Sequence, residues 1–340
     1  MVSAANKEAS LGSYEAVDSL LRVSGEPGGV EYEVEDDRDL VGGEEESTTQ
    51  EVSVRRYEAA IAQSKVKPHT LAFILAAGLG SHSHSTPAGA TTARLHTISP
   101  DTSAYEHETF TVEELLISGL QRKYGGCFVD SFELSGDRRN FFSLSAQVYG
   151  SGKFTTGSAS VSEKSENSLH TRDSVCWLST GAYDGSTPTQ GKGVNDLGGT
   201  PSDIRASIDS FRWAYNNNSD LDFLYSWGSG ITMGRAERDE RSQEISATLL
   251  LEDATHLNYL NNQTPLAMQI KCHNSSQQIG AEGYYYGFIL VFPKLMYNVG
   301  RPRGAAGGRM TVDITTSIKQ DATHGSVEAW VYNTQASYLQ

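Results

Sequence analysis

Val129-Asp130-Ser131-Phe132-Glu133-Leu134 is nearly repeated downstream as Ile208-Asp209-Ser210-Phe211-Arg212-Trp213. The first stretch closes on Gly150-Ser151-Gly152 and the second on Gly228-Ser229-Gly230. Apolar and polar residues alternate in both, which is the period of a half-buried β-strand. A duplicated strand–turn–strand unit serves architecture, because each copy needs another to cover its apolar face. The repeat therefore points away from a single catalytic pocket and towards a self-associating β protein.

Working outward, the period of two continues on both sides. Cys127–Leu134, Phe141–Tyr149 and Lys153–Ser160 read as antiparallel strands, with Ser135-Gly136-Asp137 and Asn140 supplying turn residues. Glu244–Leu251, Leu266–His273, Tyr284–Phe292, Met310–Ile318 and Ser326–Tyr332 read as further strands, Asp253–Tyr259 as a short helix and Arg301–Arg309 as a Gly-rich turn. The expected units are about 124–160 and 204–251, joined by the Gly-rich loop 181–202. Upstream, Val54, Tyr57, Glu58, Ile61 and Ala62 predict a helix over 51–66. A second helical stripe begins at Pro68 and ends at Gly78 or Gly80, and 81–104 reads as a polar loop or hairpin. Thr111 and Glu114 resemble a capping box for one or two helical turns. Residues 1–24 are weakly helical in composition. Val30–Glu35 alternates like an edge strand with a charged outer face, and 36–50 reads as a solvated acidic loop. The expected class is mainly β, an antiparallel sandwich or barrel with a flanking α-helix and long loops. An acidic arm is expected over 1–50 and the main domain over 51–340.

Composition narrows the partners. The 340 residues carry a formal net charge of −15. A protein that grips nucleic acid needs basic phosphate contacts, so this charge speaks against one and suits a surface that repels DNA. The N-terminal stretch lacks a charged region followed by an apolar core, and the run Leu71–Leu79 is too short to span a bilayer, so no membrane is expected. Cys127, Cys176 and Cys272 are odd in number and widely spaced, which predicts buried thiols and neither disulfides nor a zinc site.

The candidate chemistry is thin. Gly185–Gly193 (GSTPTQGKG) brushes against a P-loop but has the wrong glycine spacing and no βαβ context. His82 and His84 form a His-x-His with no evident third ligand among His69, His96 and His107. No GxSxG elbow is present, and Glu113 and Glu114 serve as well in a cap as in acid–base work. Arg301, Arg303 and Arg309 suit an acidic neighbouring chain, and Tyr284-Tyr285-Tyr286 a packed strand face. No catalytic residue, metal or cofactor is expected.

The order of several weaker motifs carries a resemblance. Pro68-His69-Thr70-Leu71 is followed by Phe110-Thr111-Val112-Glu113-Glu114, then by Lys123-Tyr124-Gly125-Gly126-Cys127 leading into the first repeat, and by Val148-Tyr149-Gly150-Ser151-Gly152-Lys153. Val291-Phe292-Pro293-Lys294 and Val331-Tyr332-Asn333-Thr334 come near the end. Over about residues 50–335 this resembles the tail tube proteins of long, non-contractile-tailed bacteriophages; residues 1–50 have no counterpart in it. The resemblance implies a structural virion protein of the tail, assembled in the host cytoplasm, with a tail-tube sandwich fold. Copies would form rings, six chains being preferred over three duplicated ones, and the rings would stack into a tube. The implied partners are further copies, a tape-measure protein, tail terminator and tail-tip proteins, and viral DNA passing through the lumen without specific binding. Asp130, Glu133 and Asp209 are candidates to face that lumen. A decoration protein, a tail-tip adhesin or a soluble β-sandwich enzyme are the alternative readings.

Overall fold

The computed structural model describes residues 1–21, 28–37, 49–117, 120–226, 228, 230–304 and 309–340. Most of the expected acidic loop, 38–48, lies outside the described residues, as do Ser229 and 305–308 of the Gly-rich turn. The strands are β1 (Gly29–Asp37), β2 (Thr49–Gln63), β3 (Gly80–Ser85), β4 (Arg94–Pro100), β5 (Phe110–Ile117), β6 (Leu120–Asp137), β7 (Ser143–Gly150) and β8 (Phe154–Thr156). They continue as β9 (Ser174–Ser179), β10 (Ser202–Asp203), β11 (Ile208–Asn216), β12 (Ser242–Leu250), β13 (Leu266–Gln278), β14 (Tyr285–Arg303), β15 (Thr311–Ile318) and β16 (Glu328–Asn333). Two α-helices are present among the described residues, α1 (Pro68–Leu79) and α2 (Thr255–Asn261).

The long strand β14 links two layers. Its second half, from Leu295 to Arg303, pairs with β15 and begins the antiparallel order β15-β12-β11-β6-β7-β2-β1. Its first half, Gly287–Val291, pairs with β13 on one side and β16 on the other, and that layer continues through β9 and β10 and through β4 and β3. The layers face each other through edge-to-face aromatic pairs. Trp213 meets Phe292 at 5.2 Å between ring centroids and Phe142 meets Phe288 at 5.2 Å. Trp213, Phe288 and Phe292 are buried. The result is a β-sandwich whose core lies between the inner faces.

The two similar stretches begin as neighbouring strands of one layer. β6 pairs antiparallel with β11, with Leu134 opposite Trp213 and Phe132 opposite Tyr215. The first continues into its hairpin partner β7, whereas the second leaves the sheet after Asn216 and returns only at Ser242, as β12. Both copies thus share a layer and do not supply opposed sheets.

Helix α1 is buried at all twelve positions, as a helix without a polar face must be. Pro68 opens it, and Gly80, with φ +91°, closes it by donating its N–H to the Ala76 carbonyl. A β-carbon at Gly78 would come within 2.8 Å of the Phe132 ring, so the absence of a side chain there lets the helix lie against β6. The expected helix over 51–66 is instead β2. Its sequence has good helix formers, but Tyr57, Ile61 and Gln63 are buried on one face while residues 57–63 pair with β7. Tertiary pairing overrides local propensity here. Thr111 is likewise in strand β5 and not in a helix cap: its hydroxyl donates to Glu8 Oε1 (2.8 Å), while Glu114 Oε1 accepts from Tyr57 (2.8 Å). Within residues 1–21 no helix forms. Val2 bridges to Ser19 and Val112, and the buried Glu8 carboxylate accepts from the Gly126 N–H (2.9 and 3.0 Å). The strand expected at Lys153–Ser160 shrinks to Phe154–Thr156.

A buried polar chain ties the C-terminal residues to α1 and to the β3–β4 hairpin. His82 Nε2 lies 3.0 Å from His96 Nδ1, and His96 Nε2 lies 3.0 Å from Asn333 Oδ1. Asn333 Nδ2 donates to the Tyr338 hydroxyl (3.0 Å), which lies 2.7 Å from His69 Nδ1. Burial lowers His69 and His82 to about 4 and His96 to about 3; His107, stacked on Phe128, is lowered to about 3 for the same reason. Glu166 has the opposite sign, raised to about 7 by burial. As pH falls below about 6.5 the unfolded chain protonates these imidazoles and the folded chain does not, so stability is lost towards pH 4. Glu166 offsets part of this between pH 7 and its ordinary value. Each of the four imidazoles costs about 2 kcal/mol between about pH 7.5 and pH 5 and Glu166 returns about as much as one of them, so the melting midpoint should drop over that range by the equivalent of roughly 5–6 kcal/mol. A midpoint unchanged over that range would contradict the assignment.

Candidate functional site

The outer face of the larger layer is its most extended feature. Because antiparallel partners project to the same side, registers can be followed across it. One row runs Ala62, Ser145, Glu133, Ala214, Glu244, Ser317 and Met296 over seven strands. The row above it runs Ala60, Gln147, Ser131, Asn216 and Ser242, and the row below runs Ser143, Ser135, Arg212, Ser246, Thr315 and Val299. Small hydroxyl, amide and methyl groups predominate. They line a shallow groove along Ser131, Glu133, Ala214 and Asn216.

Charges on this face come in closed sets. Arg212 donates to Glu133 Oε2 at 2.7 Å, and that hydrogen bond raises the guanidinium above its ordinary value, with Glu244 adding to the effect. Arg56 lies 3.1 Å from both Glu31 and Glu33 and 4.0 Å from Glu58. Partial burial, and then Glu31, push the Glu58 carboxyl up. Arg303 meets Asp313 at 2.5 Å, and Thr248 donates to the same carboxylate. Carboxylates outnumber the arginine in the first two sets; in the third, Arg301 also stands opposite Asp313, so two arginines share one carboxylate, and over the three sets six carboxylates face four arginines. A polyanion meeting this surface finds hydroxyls, amides and paired guanidinia, with no surplus of cations over these sets together to hold phosphate.

Of the three acidic residues expected on a common face, only Glu133 lies in these rows. Asp130 sits at a bulge between Val129 and Ser131, and its Oδ1 accepts from the Ser219 N–H (2.9 Å) beside the turn after β11. Asp209 sits at the bulge between Ile208 and Ser210, near the other end of the strand, 3.3 Å from Arg138 Nε. The two bulges break the alternation on which a sequence reading depends. Glu244, Arg212 and Asp313 escaped that reading. Glu244–Leu251 alternates clearly, but only register with β11 places Glu244 beside Glu133.

The other candidate clusters resolve into structural contacts. No group of three or more His, Cys, Asp or Glu residues among the described residues is arranged to hold a metal ion. The three cysteines are buried thiols; burial raises Cys176 to about 12. The P-loop-like run has no helix after it, and Lys192 lies 3.6 Å from Asp173. Loop 181–202 is clamped from below by Lys271, whose ammonium donates to the carbonyls of Thr189 (2.6 Å) and Val194 (2.7 Å) and pairs with Asp196 (2.6 Å).

A family model described as "Phage tail tube protein" matches residues 28–319 of the chain. No curated protein matches it.

Proposed function

The chain belongs to the phage tail tube protein family, whose role is structural, tube-forming and non-catalytic, and on that premise we propose that six copies close into a ring and that rings stack into a tail tube. The polar outer face of the larger layer lines the channel, with Glu133 and Glu244 projecting into it, while Asp130 and Asp209 organise strand ends. The closed charge sets on that face carry this reading: a wall of small neutral groups, with more carboxylates than arginines over those sets, lets DNA slide and gives it no purchase. Before DNA passes, the channel holds a tape-measure protein. Terminator and tip proteins cap the ends, and assembly takes place in the host cytoplasm.

Ring closure uses the free edges. Strand β1 ends the larger layer on one side and the Met296–Arg303 half of β14 ends it on the other; among the described residues no strand pairs their outer sides. An open edge is a template for further pairing, and a barrel closed across subunits removes it. Residues 1–21 pack on β5 and β1 is the edge strand, so much of the expected arm works as part of the tube domain. Electron microscopy with rotational averaging tests the proposal. Six-fold rings and tubes are the expected result; a purified protein that forms neither, and that is missing from tails, would sink it.

A further inference from the structure

The His-x-His of the sequence gains its third member in the fold. His82 and His84 lie two apart on β3 and project from one face, and β4 sets His96 directly opposite His84. His96 is fully buried, His82 partly buried and His84 exposed. The ring centroids of His82 and His96 are 5.2 Å apart, and that of His84 is 6.2 Å from the first and 6.4 Å from the second.

The outer hydrogen bonds decide where the lone pairs point. Asn333 Oδ1 accepts from the Gln335 N–H (2.8 Å), which fixes it as the amide oxygen. His96 Nε2, 3.0 Å from that oxygen, is therefore the donor, and His96 Nδ1 carries a bare lone pair. That lone pair faces His82 Nε2 at 3.0 Å. His82 Nδ1 is buried with no hydrogen-bond partner, so a proton on Nε2 would strand a second lone pair there. The Tyr338 backbone nearby favours a proton on this ring. Placed on Nδ1, that proton leaves the lone pairs of His82 Nε2 and His96 Nδ1 facing each other, an arrangement that calls for a cation between them. Histidines that ligate a metal are held in the manner of His96, with the far N–H given to an oxygen.

We propose that His82 Nε2, His96 Nδ1 and a nitrogen of His84 form a binding site for Zn²⁺ or another divalent cation that prefers imidazole. Metal–nitrogen bonds of about 2.0–2.1 Å put two tetrahedral ligands about 3.4 Å apart, so the first pair has to open by only about 0.4 Å. In the described conformation the three rings do not converge, and His84 Nδ1 lies 3.2 Å from the Gln340 side-chain amide. Giving up that exposed contact lets the His84 ring swing inward by about 1 Å, to the centroid spacing of the other two. Three neutral imidazoles with water in the fourth position are a donor set that zinc accepts, whereas Mg²⁺ and Ca²⁺ want oxygen. The acid loss of stability described for these imidazoles is that of the metal-free chain; bound zinc adds to it, because protons compete with the ion for the same lone pairs. The site goes beyond the tube reading and does not depend on it.

The full-length protein, stripped with a chelator and titrated with Zn²⁺ or Co²⁺, tests it. One ion per chain should bind, and Co²⁺ should show the strong visible absorption of a four-coordinate site. Zn²⁺ at about a hundredfold excess over its dissociation constant should raise the melting midpoint by about 4 °C. His84→Ala removes an exposed ring, so the metal-free midpoint should stay at the wild-type value. Its zinc affinity should fall by more than the roughly 10- to 100-fold that loss of an outer partner costs. A wild-type chain with neither a midpoint shift nor a four-coordinate Co²⁺ spectrum would overturn the site. So would a His84→Ala chain that binds zinc as tightly as wild type, since the ion would then sit on other side chains.

Discussion

Replacing Lys271 by Met lowers the stability of the folded chain by about 3–5 kcal/mol, the usual cost of breaking one side of a buried ion pair. The Lys271 side chain is 0% exposed and that of Asp196 is 7% exposed. Burial pulls the ammonium below its ordinary value, and Asp196 opposes the shift. Methionine matches the lysine stem in volume, so little packing is lost. What is lost is the partner of a carboxylate that has few others: Gln269 donates to Asp196 Oδ2 (2.8 Å) and the Thr189 N–H to Oδ1 (3.1 Å). The carbonyls of Thr189 and Val194 lose their donor as well. In a chain of 340 residues the melting midpoint should fall by roughly 4–7 °C. A second variant separates charge from packing. Lys271→Met with Asp196→Leu removes both ions and should recover most of the loss, since a well-packed apolar pair in place of a buried ion pair is often neutral. A Lys271→Met midpoint within about 2 °C of wild type would mean that the pair contributes little.

Lysine 271 also shows where a reading of the sequence stops. Its strand was legible, because Leu266–His273 has the length and the apolar character of a buried strand. Nothing in that run marks the lysine as the clamp of a loop some eighty residues upstream, and the same loop reads in isolation as a Gly-rich linker. The general class was legible for a similar reason: alternation in Cys127–Leu134, Phe141–Tyr149 and Glu244–Leu251 is imposed by one wet and one dry face. Helix α1 was legible from its apolar stripe and the glycines that close it. Residues 51–66 were not, because the spacing of Val54, Tyr57, Ile61 and Ala62 satisfies a helix and only the β7 ladder decides against it. Thr111 and Glu114 misled for a related reason. A threonine and a glutamate three residues apart make a cap only if no other partner is within reach, and Glu8 and Tyr57 are. Of the three acidic residues singled out in the sequence, the register puts Glu133 in the outer-face rows, whereas Asp130 and Asp209 each lie at a β-bulge. The alternation rule carries side-chain direction along a strand only until an extra residue intervenes.

Glu133→Lys combined with Glu244→Lys should leave tubes intact and impair the passage of DNA. Both side chains lie on the outer face, in one row with Ala214 between them, and neither contributes to the core. Backbone pairing and inner-face packing therefore survive, and tube number and diameter should match wild type. The field on the wall reverses. Glu133 no longer neutralises Arg212, and three cations stand together where two carboxylates enclosed one. In the proposed six-copy ring the change is about 24 charges, repeated at every ring of the proposed channel. Each phosphate held by a lysine releases counterions, so retention should be strong at low salt and fall steeply as salt is raised. The expected outcome is a phage titre reduced about 10- to 100-fold, slow ejection in vitro that added salt relieves, and purified tubes that bind DNA where wild-type tubes do not. The neutral variant Glu133→Gln with Glu244→Gln should fall between the two, because it removes repulsion without adding attraction. Normal titre and ejection from intact lysine-bearing tubes would show that this face does not line the channel. Failure of those tubes to assemble would place it at a subunit contact and equally overturn the assignment.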